Sequence, residues 1–157
     1  MNPLTQDLLN ELTVDALART AFVIAEAVDA DEATELPAAT CFARIEYSGP
    51  TTGWVGFAAS EGFVRELAAS LLGEEAKDID MKVEGADAFR ELANIVGGSV
   101  ILALGGDERN LSLGLPEEVE PTGMPSTERA GIRCFFEAEF ERLEVIWAPA
   151  EQAKAAA

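Results

Sequence analysis

The sequence predicts an α+β fold in which long helices cover one face of a largely antiparallel sheet. Three observations lead there. Apolar residues recur at helical spacing, most clearly over residues 84–104, where Phe89, Leu92, Ala93, Val96, Val100 and Ala103 fall on one face. Residues 40–47, 51–58, 110–115, 131–137 and 140–147 read as short strands, the last two pairing naturally as Ile132, Cys134 and Phe136 alternate with Arg133, Phe135 and Glu137. The order is helix, two strands, two helices, three strands, which suits helices layered on one antiparallel sheet. With 157 residues, 48% hydrophobic and 25% charged, the chain suits one domain, placed at residues 1–148 with 149–157 as a flexible tail.

Taken in order, residues 5–28 carry Leu8, Leu9, Leu12, Leu17, Ala21, Ile24, Ala25 and Val28 at amphipathic spacing. They predict a long helix broken near Thr13, with Thr5 or Thr13 as caps. Residues 29–37 are acidic and turn-like. The strands at 40–47 and 51–58 are joined by Ser48-Gly49-Pro50, a loop suited to a hairpin. Ser60 caps a helix over residues 61–72 that Gly73 stops, with Phe63, Val64, Leu67, Ala68 and Leu71 inward. Residues 74–83 form a charged connector, and the central helix runs over 85–104 to a Gly105-Gly106 cap pair. Pro116 ends the strand at 110–115, and residues 117–129, with Pro121, Gly123 and Pro125, form a long loop.

Composition removes several function classes. A formal charge of −18 excludes a generic nucleic-acid binder and argues against adhesion to anionic membranes, so a partner should offer basic groups. The absence of histidine removes Ser-His-Asp and Cys-His nucleophiles and the usual zinc sites. There is no P-loop or strand-linked Gly-x-Gly-x-x-Gly, and no signal-peptide pattern at the N-terminus. The longest uncharged stretch, residues 92–106, is too short to span a bilayer. Cys41 and Cys134 lie far apart without metal or redox spacing, which predicts packed thiols in a cytoplasmic protein.

The central helix carries the features that packing alone does not ask for. Glu91 and Asn94, three apart, share a face, with Gly98 one turn further on. Asn competes for backbone hydrogen bonds inside a helix, and each mid-helix Gly costs roughly 1 kcal/mol relative to Ala. Gly97 and Gly98 therefore suggest a close approach to the helix backbone, either by the protein's own sheet or by a partner. Glu26-Ala-Val-Asp29 repeats the spacing in the first predicted helix, ending in a carboxylate where the other ends in an amide.

Glu91-Leu92-Ala93-Asn94-Ile95-Val96-Gly97-Gly98, preceded by Leu71-Leu72-Gly73 and followed by Leu113-Gly114-Leu115-Pro116, resembles the CheX-like branch of the chemotaxis phosphatases. The resemblance runs from about Leu8 to Trp147 and implies a CheC-like fold. It also implies that Glu91 and Asn94 are the catalytic pair, projecting into the active site of a phosphorylated CheY-like response regulator. Glu91 would dock on a lysine beside the phosphate, and Asn94 would position the water that hydrolyses the aspartyl phosphate. Arg90, Gly97 and Gly98 would contribute to partner binding. The chain would need no cofactor of its own, since the regulator supplies Mg²⁺, and it would form a homodimer through sheet edges. CheC-type relatives carry two such motifs, whereas this chain carries one. The alternative is a non-catalytic regulator-binding or assembly module related to flagellar switch proteins.

Overall fold

The computed structural model describes residues 4–105, 112–127 and 131–150. Gly106, the start of the 110–115 strand, the end of the 117–129 loop and the tail from residue 151 lie outside the described residues.

Helix α1 (Gln6–Ala16) starts where expected, with the Thr5 hydroxyl accepting the Leu8 N–H at 3.1 Å. It passes into a π-helical turn (Leu17–Ala21) and stops at Phe22, whose φ of 57° turns the chain out of the helix. The predicted helix was therefore too long at its C-terminal end, and it does not break at Thr13. Thr13 sits fully buried inside α1, its hydroxyl without a partner among the described residues. Beyond Phe22, Val23 and Ala25 are buried while Ile24 and Glu26 are exposed, a period of two that small apolar residues make compatible with either structure. That segment leads into strand β1 (Glu26–Val28). Asp29 then caps the short helix α2 (Ala30–Ala33) in a reciprocal box with Glu32, which gives the acidic turn a local structure.

Strands β2 (Cys41–Ser48) and β3 (Gly53–Ala59) form the expected hairpin. Helix α3 (Glu61–Leu72) matches its predicted caps, with Ser60 Oγ accepting the Phe63 N–H and Gly73 in the left-handed region at φ 68°. The charged connector contains a 3₁₀ turn (Ala76–Asp78) and a π-helical turn (Met81–Gly85). Asp80 caps that second turn, its carboxylate accepting the Lys82 N–H while Glu84 accepts the Asp80 N–H. The turn runs directly into helix α4 (Ala86–Ala103), so Asp80 stands as the effective N-terminal cap of the longest helical run. The edge strand beyond it comes in two short pieces, β4 (Ser112–Leu113) and β5 (Glu117–Glu118). A 3₁₀ turn (Pro121–Gly123) and the final hairpin β6 (Ile132–Ala138) and β7 (Glu141–Pro149) complete the chain.

The strands build one antiparallel sheet in the order β1-β6-β7-β3-β2-β4, with β5 also on β2. Helices α1, α3 and α4 pack against β6, β7 and β2–β3 respectively, on the face that carries Ala43, Ile45, Val55, Phe57, Phe136, Leu143 and Val145, all fully buried. This is the predicted layering, and it arises because alternate residues of each strand meet the apolar stripes of three helices. Trp147 Nε1 donates to the Tyr47 hydroxyl at 2.9 Å inside this core, satisfying both polar tips. Tyr47 pairs across the ladder with Gly53, where a Cβ would lie 2.5 Å from the phenol oxygen, so only glycine fits there.

The opposite face is closed by a polar cluster and a returning segment. Buried Glu144 accepts from Arg133 at 2.7 Å and from Arg142 at 3.1 Å, and Arg142 also donates to the carbonyls of Ala33, Leu36 and Pro37. The buried carboxylate is thereby paired on both oxygens, and the chain after α2 is pinned to the sheet. Met124 and Pro125 lie over Gly56, while Arg44 stacks 4.3 Å from the Trp54 ring and pairs with Glu117.

Candidate functional site

Helix α4 presents two faces of different chemistry. Ala88, Phe89, Leu92, Ala93, Val96, Gly97, Val100 and Ile101 are buried, continuing the stripe that predicted the helix. Asp87, Glu91, Asn94 and Leu102 are exposed and Gly98 half-exposed, at spacings of four, three, four and four that keep them in one row along the helix. Glu91 and Asn94 thus lie together near the middle of an open face. Neither side chain has a hydrogen-bond or ion-pair partner among the described residues, so both are free to meet a second molecule.

The two glycines do different work. Gly97 turns inward, where an added Cβ would lie 3.1 Å from Leu113 and 3.2 Å from Ile45, so the close approach here is by the protein's own sheet. Gly98 faces outward, with nothing within 4 Å of a Cβ built on it, and leaves the row open beside Asn94. Arg90 lies to one side of the row. Its guanidinium pairs with Asp87 and reaches to 3.9 Å of Glu118 on β5, which ties the helix to the sheet edge.

A cleft beside the N-terminal half of α4 is lined by Thr40, Cys41, Phe42, Phe89, Glu118 and Pro121 among others. Burial pushes the Cys41 thiol up, with the Glu61 and Glu118 carboxylates acting in the same direction, so the thiolate needed of a nucleophile is disfavoured. Cys134 is buried under α1 and pushed up to about 12, mainly by burial. Both cysteines are free thiols, and they pack as the sequence led us to expect. Among the described residues no group of three or more acidic or thiol side chains converges as a metal site, and none of their helices is long and apolar enough to cross a membrane.

The structure brings Glu91 and Asn94 to one exposed face, as their spacing predicts, and adds a neighbouring edge strand that the sequence did not indicate. Glu118, expected in an unstructured loop, is held in β5 opposite Ala43 and faces Arg90. The second tetrad does not form a comparable site: Glu26 lies on an edge strand opposite Glu137, and Asp29 is consumed as the cap of α2.

The antiparallel sheet with helices α1, α3 and α4 on one face, and the exposed Glu91–Asn94 row on the longest of them, make an α+β architecture that matches solved CheC-like structures. The chain belongs to the family described as chemotaxis phosphatase CheX, whose family model matches residues 41–137. Solved structures agree on the fold. The chemotaxis protein CheX from Vibrio vulnificus is 19% identical with a TM-score of 0.68, covering 96% of this chain and 100% of that one. CheX in a CheX–CheY–BeF3–Mg²⁺ complex from Borrelia burgdorferi is 14% identical at a TM-score of 0.69, over 91% of this chain and 96% of that one. Thermotoga maritima FliY is more distant, at 11% identity and a TM-score of 0.53, over 93% and 90% of the two chains. No curated protein sequence matches this chain significantly.

Proposed function

We propose that the chain hydrolyses the aspartyl phosphate of a phosphorylated CheY-like response regulator, with Glu91 and Asn94 as the catalytic pair. The observation that carries this reading is the pair itself: a carboxylate and an amide, unpartnered among the described residues, side by side on the exposed face of a helix in a chain of the CheX family. Asn94 offers a donor and an acceptor that do not titrate, enough to hold a water in line with a phosphorus without becoming charged. Glu91 supplies a negative charge that pairs with a lysine of the regulator and sets the docked orientation. Mg²⁺ belongs to the regulator, where it neutralises developing charge on the phosphoryl oxygens. The inserted helix therefore acts by positioning, and chemistry without histidine or a resident metal is sufficient.

The surroundings fit docking by local contacts in spite of the overall charge of −18. Gly98 leaves room for the partner's loops next to Asn94. Arg90 offsets Asp87 and Glu118 at the rim, and its exchange of these for a regulator carboxylate would make association sensitive to salt. The free thiols accord with a reducing, cytoplasmic setting. A homodimer joined through a sheet edge is part of the same reading, with β1 as the edge lying away from the proposed site. Sedimentation that finds only monomer at micromolar concentration contradicts the dimer.

The test of the reaction is the decay of radiolabelled phospho-regulators from the source organism, followed with and without the protein. Accelerated decay of at least one regulator is expected. Tight binding of a beryllofluoride-activated regulator without acceleration would leave a non-catalytic binding module instead.

A further inference from the structure

Leu115 is the most exposed large apolar side chain among the described residues, at 90%. Its position is set by a bulge in the edge strand. Leu113 pairs with Tyr47 and Glu117 with Arg44, so Gly114, Leu115 and Pro116 face only Ile45 and Glu46. Three residues against two shift the side-chain parity by one. The shift lets Glu117 meet Arg44 on the far face and turns Glu118 toward Arg90 on the helix face. Leu115 is left at the crest.

The crest is rigid. The Gly114 N–H donates to the Glu46 carbonyl at 2.7 Å, and a Cβ at Gly114 would stand 3.3 Å from that same oxygen, so the tight approach uses the absence of a side chain. Pro116 fixes φ on the other side and has no N–H to pair. The backbone on both sides of Leu115 is thereby held, and its side-chain rotamers are what remains to be ordered when it is covered.

The crest also stands beside the proposed site. Gly97 touches Leu113 and Ile45, while Arg90 reaches Glu118, so the stretch of edge strand between residues 113 and 118 runs alongside the stretch of α4 between 90 and 97. The backbone at Leu115 is therefore level with the Glu91–Asn94 stretch of α4. Leu102, 68% exposed, continues the Glu91, Asn94, Gly98 row along the helix. Among the described residues the charged groups around this stretch are Glu46, Asp87, Glu91, Glu117 and Glu118 against Arg44, paired with Glu117, and Arg90, paired with Asp87 and Glu118, so the surround is acidic on balance.

We propose that Leu115 is a specificity-determining docking residue, which seats in an apolar socket flanked by basic side chains on the regulator and thereby places the phosphate opposite Asn94. This rests on the phosphatase reading and adds the apolar contact that the charged and polar pair lacks. An acidic surround with an apolar crest selects a partner with the complementary arrangement, and apolar anchoring works at any ionic strength where the charges are screened.

The test compares Leu115→Ala, Leu115→Met and Asn94→Ala in steady-state dephosphorylation of a responding regulator. Leu115 is solvent-exposed, so Leu115→Ala leaves the thermal midpoint where it was. Its KM is expected to rise about tenfold with kcat unchanged, as loss of one buried leucine contact predicts, and Leu115→Met restores most of the affinity. Titration of beryllofluoride-activated regulator should show the same loss of affinity. Unchanged KM and affinity in Leu115→Ala, while Asn94→Ala loses kcat, overturns this inference and keeps the phosphatase reading. Unchanged kcat in Asn94→Ala overturns the reading on which it rests.

Discussion

Two four-residue segments of this chain have the same spacing and opposite fates. Glu91 and Asn94 lie on α4, where a separation of three residues brings side chains to the same face, and both reach solvent beside an outward glycine. Glu26 and Asp29 straddle the end of β1 and the start of α2, where a separation of three has no such meaning. There Glu26 stands across from Glu137 and Asp29 closes a capping box. Spacing is chemistry only within the element that converts it into a shared direction. Of the two tetrads, the one on α4 is therefore the one that presents both side chains on a shared exposed face.

The largest effect should come from making the first tetrad read like the second. Asn94→Asp puts a carboxylate where the attacking water and the phosphoryl oxygens must meet, and should reduce the dephosphorylation rate by about 1,000-fold, the upper end for loss of a transition-state donor. Asp29→Asn, the reverse change, retains a capping side chain and should leave the rate unaltered. A measurable rate in Asn94→Asp close to that of the unmodified protein would mean that the helix face is not the reacting surface.

The adjacent glycines sharpen the comparison between the two faces of α4. Gly97→Val forces a branched side chain against Leu113 and Ile45 and should destabilise the fold by about 2 kcal/mol, read from the urea midpoint. Gly98→Ala meets open space and should stabilise by up to about 1 kcal/mol through helix propensity. Equal responses at the two positions would contradict the assignment of one to packing and the other to the exposed row.

A smaller effect separates the core from the site by pH. Burial raises the Cys134 thiol from 9.0 to about 12, so the folded state favours its protonated form. The associated stability is present in full below the unfolded value and is lost as pH rises from about 9 toward 12, where the unfolded chain releases the proton first. Tyr47 is raised as well, again by burial, and adds to the loss at the upper end of that range. Cys134→Val should flatten part of the alkaline decline in urea stability and leave phosphatase activity at neutral pH within a fewfold. An alkaline profile identical in both proteins would assign the decline to other groups.

Much of this was legible in the sequence because the signals were local. Ser60 and Gly73 bracket α3, the apolar period of α4 fixes both its buried face and the exposed row, and alternation in β6 separates Cys134 and Phe136 from Arg133 and Phe135. What was missed depends on partners distant in sequence. Residues 26–28 acquire strand character from β6, and the apolar residues from Val23 to Val28 fit a helical stripe equally well until Phe22 turns the chain. The bulge at Leu115 becomes visible only when the two registers on β2 are set side by side, and Glu118 joins the rim of the site through that bulge. Gly97 and Gly98 look alike in sequence, and only their places on the helix separate them.

The central claim is that Asn94 positions the attacking water, and single-turnover decay of a phospho-regulator bound to saturating protein tests it most directly. Asn94 is exposed and without a partner among the described residues, so Asn94→Ala should fold normally and bind a beryllofluoride-activated regulator with nearly unchanged affinity. The bound phosphate should nevertheless decay about 100-fold more slowly than with the unmodified protein, approaching the regulator's own rate. Decay at the unmodified rate from an equally saturated complex would contradict the account and leave α4 as a docking helix.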